Sequence, residues 1–276
     1  MNNHREGESP AGRQANRLRR YTIAAVGSGG LLPVVVASAL RWSSSWPLDA
    51  VVPAYEWAGI AANAFVFETA IMIVIAPLAG VTMVQHGPGA PAASFGVGTL
   101  VRRVATLATP VVLAATAFAV SSSLIQINLA TAGAAVVLAS HLTLWAATVT
   151  LAALGAAAAA AFADPLDAAA CALGVAVVNG AGVLVAGPVL MALPARALAA
   201  ALLANPIVAT ASAANIDVFR TRVLYLISPL AHTRIDYPPA ATSSTWYLAA
   251  AVALFTSAVL LLERQRRVSS MERTCA

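Results

Sequence analysis

An acidic side chain set among apolar residues is the most informative position in this sequence. Glu68 follows Ala64-Phe65-Val66-Phe67 and precedes Thr69-Ala70-Ile71-Met72. An ionised carboxylate at the middle of a bilayer costs about 2.5 to 3.5 kcal/mol on insertion scales, so such a group faces a bundle interior, a water-filled path or a partner. The chemistry open to it is proton binding or contact with a polar substrate. The alternatives are a buried structural hydrogen bond, or a protonated acid near the interface. Asn63 precedes it by five residues, which is not quite the same helical face. His141, between Ser140 and Leu142, and Asn179, between Val178 and Gly180, also interrupt apolar runs. Each is a candidate for a polar path shared with Glu68, or for a hydrogen bond to a neighbouring helix. Glu68, Asn63, His141 and Asn179 are the candidates for lining a transport path.

Motifs of soluble chemistry are missing. The chain has no Gly-Lys-Ser/Thr phosphate loop, no His-Glu-x-x-His and no Gly-x-Ser-x-Gly elbow. Asp164 and Asp167 are three apart, but they flank Pro165 at a turn, which is the pattern of a helix N-terminus. Cys171 and Cys275 have no companions at metal-ligand spacing, and their positions disfavour a disulfide. The expectation is a chain without catalytic residues, metal or cofactor of its own.

The elements that must position these residues follow from composition. Of the 276 residues, 60% are apolar and only 10% charged, against roughly 25% charged in a soluble domain. Charges are absent from 21 to 40 and from 168 to 195, and no permanent charge falls between 104 and 163. A helix needs about 20 apolar residues to cross a hydrocarbon core of about 30 Å. These gaps predict an all-α, polytopic transmembrane bundle of about six spans, over 21–40, 57–83, 104–120, 132–162, 168–193 and 246–262. Residues 1–20 read as a basic tail, and 264–276 as a second one. Residues 197–216 hold Asn205, Pro206 and Asn215 without a charge, and read as a span or a re-entrant pair of half-helices. Residues 217–237 mix arginines with apolar residues, as an interfacial helix does.

Every one of the 16 basic residues is arginine. They cluster at the edges of apolar runs, as lipid headgroup anchors do, and this argues against nucleic acid as a partner. With six spans, eleven arginines fall on the side of both tails and five on the other. The positive-inside rule then puts both termini in the cytoplasm.

Six spans, cytoplasmic termini and a polar connection over 85–103 resemble the membrane subunit of an ABC transporter, in the type-2 exporter permease family. The resemblance extends to Asn205-Pro206, to Leu226-Ile227-Ser228-Pro229-Leu230, and to Tyr237-Pro238-Pro239 before a final span with a basic tail. It covers the whole chain in layout. It implies a re-entrant segment before the last span, a separate ATPase subunit carrying ATP and Mg, and a second permease chain. It also implies alternating access in a bacterial plasma membrane. The 85–103 connection would dock on the ATPase, with His86, Arg102 and Arg103 as coupling candidates. Family members often carry a charged helix there, whereas this chain reads Gln85-His86-Gly87-Pro88-Gly89. The same residues leave open a secondary transporter driven by an ion gradient through Glu68 and His141, or a membrane scaffold that transports nothing.

Overall fold

The structure, a computed structural model, describes Leu32 and residues 57–86, 96–129, 133–220 and 235–275. Apart from Leu32, the span expected over 21–40 lies outside the described residues, as does most of the expected interfacial helix over 217–237. The helices are α1 (Trp57–His86), α2 (Val97–Leu129), α3 (Ala134–Ala161), α4 (Pro165–Val185), α5 (Gly187–Met191), α6 (Ala195–Ala204), α7 (Pro206–Ala213) and α8 (Ala240–Cys275). A 3-10 turn occupies Val218–Arg220. No strand occurs among the described residues. Helices α1, α2, α3, α4 and α8 are each long and apolar enough to cross a membrane. The protein is a polytopic helical membrane protein. Between α4 and α8, helices α6 and α7 form a pair bent by 85° at Asn205.

Two helices are longer than expected. The span anticipated over 104–120 lies within α2, whose 33 residues extend about 50 Å. The serine run at 121–123 reads as a turn in sequence. In the structure, Ser121 returns its hydroxyl to the Ala117 carbonyl at 2.6 Å. Such i−4 bonds satisfy a hydroxyl without breaking the helix, so α2 continues to Leu129. Likewise 246–262 lies within α8, 36 residues long, and the expected basic tail is helical to Cys275. The expected 168–193 span is instead α4, which ends at Val185, followed by the short α5.

Capping fixes the ends. Asp164 accepts a 2.7 Å hydrogen bond from the Leu166 amide, Pro165 fills the first turn of α4 and Asp167 complements its dipole. Helix α7 ends with Asn215 at φ 57°, a left-handed conformation that asparagine tolerates. The Ile216 amide closes that turn on the Ala211 carbonyl at 2.8 Å.

Helix α3 runs through the middle and packs against α1, α2, α4, α7 and α8. Its buried face is built from Ala146, Ala147, Ala152, Ala153, Gly155 and Ala156. Small residues let backbones approach, which is the main source of helix association in lipid. The closest approach is to α1. A Cβ at Gly80 would lie 1.9 Å from the Ala152 carbonyl oxygen, and one at Gly155 would lie 1.9 Å from that of Pro77. No residue but glycine fits either position without moving a helix.

Candidate functional site: a buried carboxylate and imidazole

The polar groups of α1, α2 and α3 converge at one end of the bundle. Glu68 and His141 are each 2% exposed. The Ser122 hydroxyl donates to Glu68 Oε1, and Gln126 Nε2 donates to the same oxygen at 3.1 Å. Ser122 and Gln126 are four residues apart on α2, so they share a face. On the other side, His141 Nε2 lies 3.4 Å from Glu68 Oε2. The imidazole is oriented by its second nitrogen: Nδ1 lies 2.8 Å from the Val137 carbonyl oxygen. A carbonyl only accepts, so Nδ1 carries the hydrogen. Phe65 packs on the imidazole with ring centroids 5.1 Å apart.

The level of this cluster follows from helix register. Arg103 of α2 pairs with Glu263 of α8, and Arg266 adds a 3.2 Å bond to the same carboxylate. Nearby, Gln265 donates to the Ala160 carbonyl of α3 at 2.9 Å. From this arginine layer, nineteen residues of α2 lead to Ser122, nineteen of α3 lead from Ala160 to His141, and nineteen of α8 lead from Glu263 to Ser244. Nineteen residues rise about 28 Å, close to the hydrocarbon thickness of about 30 Å. Glu68 therefore sits towards the end of the bundle opposite the arginines, away from the mid-membrane level considered for it above.

Further hydroxyls tie α3 to its neighbours, at this level and deeper in the bundle. Thr143 meets Ser244 of α8 at 3.1 Å, and Thr150 lies 2.6 Å from the Tyr247 carbonyl. Trp145 donates to Thr116 of α2 at 3.1 Å.

Of the four path candidates, the structure brings together Glu68 and His141. Asn179 belongs elsewhere: its amide donates to the Ala204 carbonyl at 2.8 Å, and Asn205 donates back to the carbonyls of Asn179 and Gly180. These bonds fasten the bent α6–α7 pair to α4. Asn63 lies in α1, and its side chain falls outside the described residues. Ser122 and Gln126 fall in the gap between the expected spans 104–120 and 132–162, where only their i, i+4 spacing marks them in the sequence. Of the coupling candidates, Arg103 is engaged with Glu263, while Arg102 is exposed. His86 closes α1, with its side chain outside the described residues. Among the described residues, no group of His, Cys, Asp and Glu could hold a metal ion.

Comparison of the chain with protein-family models, with curated proteins and with solved structures finds no match in any of the three.

Proposed function

We propose that the chain is the permease subunit of an ATP-driven exporter, working with a separate ATPase subunit and a second permease chain in a bacterial plasma membrane. The observation that carries this reading is the bent pair α6–α7 between the fourth long helix and the last one. Its 85° break at Asn205 and the packing of Ala209 against Ala146 and Ala147 of α3 fit a segment that enters the bundle and turns back. A re-entrant segment in that place is what the exporter resemblance implies. In this reading both termini are cytoplasmic and the arginine layer marks the inner face, with Arg102 turned towards the ATPase. ATP and Mg belong to that partner, whose closure would drive alternating access. Lipid-facing residues of α2 and α4, such as Val101, Leu124, Val175 and Val178, offer the apolar surface that a second copy would cover.

The test is purification in mild detergent from the native host. A soluble ATPase with a phosphate-binding loop should co-purify, and Arg102→Glu should weaken the association. Repeated recovery of the chain without any ATPase would sink the proposal. A second reading, transport driven by an ion gradient, is favoured by the Glu68–His141 contact. Uptake into vesicles that survives ATP depletion but collapses with the proton gradient would select it.

A further inference from the structure

We infer that Glu68 and His141 form a binding site for a single proton, and that this proton closes α1 on α3 at the end of the bundle opposite the arginines. The inference goes beyond the transport proposal and stands whatever drives transport.

Glu68 Oε1 already accepts from Ser122 and Gln126. Glu68 Oε2 and His141 Nε2 are both buried, have no other hydrogen-bond partner among the described residues, and face each other across 3.4 Å. Because Nδ1 donates to Val137, Nε2 of a neutral ring has only a lone pair. Two lone pairs at that separation repel in a medium of low dielectric, and a gap of 3.4 Å is too narrow to admit a bridging molecule. One proton on the Oε2–Nε2 axis removes the conflict. It comes from water and resides on the carboxyl oxygen or the imidazole nitrogen; either way one group donates and the other accepts. With no proton, both atoms are acceptors. With two, both are donors. The contact is complementary only in the one-proton state, so the proton belongs to the pair and not to either residue.

Among the described residues, no other charged group pairs with either side chain, and Asp217, near the start of α8, accepts from the Tyr237 hydroxyl. Of the elements packed on α1, α2 brings the neutral Ser122 and Gln126 to the carboxylate, and α3 brings only His141. Helix α7 has no titratable residue, and Asp167 and Cys171 of α4 lie at its arginine end. On α8, the acidic Glu263 is nineteen residues from the level of Ser244. Tyr247 packs with Ala209, Ala146 and Ala147.

Amide substitutions provide the test, because they supply a permanent hydrogen in place of the shared one. Glu68→Gln can accept from Ser122 and Gln126 while donating to Nε2. His141→Gln can donate to Oε2. Glu68→Ala removes the contact. The full chain in lipid nanodiscs would be followed by amide hydrogen exchange of the α3 segment 137–143, each variant being compared with Glu68→Gln at the same pH to cancel the intrinsic rate. Where the pair holds its one proton, wild type should match Glu68→Gln. As pH rises and the proton leaves, wild-type exchange should exceed it by about tenfold, within the usual range for coupled sites. His141→Gln should stay protected with Glu68→Gln, and Glu68→Ala should exchange fast throughout. A constant ratio between wild type and Glu68→Gln across the whole range would overturn the proposal, as would loss of protection in His141→Gln as pH rises.

Discussion

Asn205 performs three tasks with one side chain. Its Oδ1 accepts from the Val208 amide at 2.9 Å and caps α7, while its Nδ2 donates to the carbonyls of Asn179 and Gly180 on α4. Removing a partner from a buried hydrogen bond costs about 1 to 3 kcal/mol. Asn205→Ala should therefore lower the thermal midpoint of the detergent-solubilised protein clearly. Asn205→Asp keeps the cap and loses the donors, and should fall between wild type and Asn205→Ala. Equality of Asn205→Asp with wild type would show that the cap alone matters. Sequence marked Asn179 as polar within an apolar run, but the partner that gives it a structural role lies 26 residues away. Glu68 and His141 were legible for the same reason, as polar interruptions. Their meeting was not, because 73 residues separate them and only the packing of α1 on α3 sets the pairing.

At the scale of elements, glycine decides where helices touch. Gly80→Ala would drive a methyl group against the Ala152 carbonyl, and the cost should reach at least about 3 kcal/mol, the top of the usual overpacking range. Gly98 of α2 is the control, since a Cβ there meets nothing within 4 Å. Gly98→Ala should raise stability by about 0.5 to 1 kcal/mol through helix propensity. Thermal midpoints of the two variants, measured side by side, would separate contact from propensity. Hydropathy located the long helices because desolvation dominates that signal. It misplaced the end of α2, because a serine run is polar by composition yet self-satisfied by Ser121 and its hydrogen bond to the preceding turn. The break within 197–216 is visible in Asn205-Pro206, where a capping side chain and a ring without an amide hydrogen start a new helix.

For the whole molecule, the two polar layers define a direction. The arginine layer at Arg103, Glu263 and Arg266 lies at one end and the Glu68 layer at the other. If the arginine end faces the cytoplasm, Cys275 should react with a membrane-impermeant maleimide in inside-out vesicles and not in intact cells. Labelling from outside would reverse the orientation and remove the docking site for an ATPase. The crossing of α1 and α3 at Gly80 and Gly155 has a mechanical consequence. Backbones in contact cannot slide through each other, so parting at Glu68 requires a tilt about that point. Glu68 is twelve residues from this fulcrum and His86 only six, arms of about 18 Å and 9 Å. Movement at the carboxylate end is thus delivered at half amplitude, with doubled force, to the His86 end of α1.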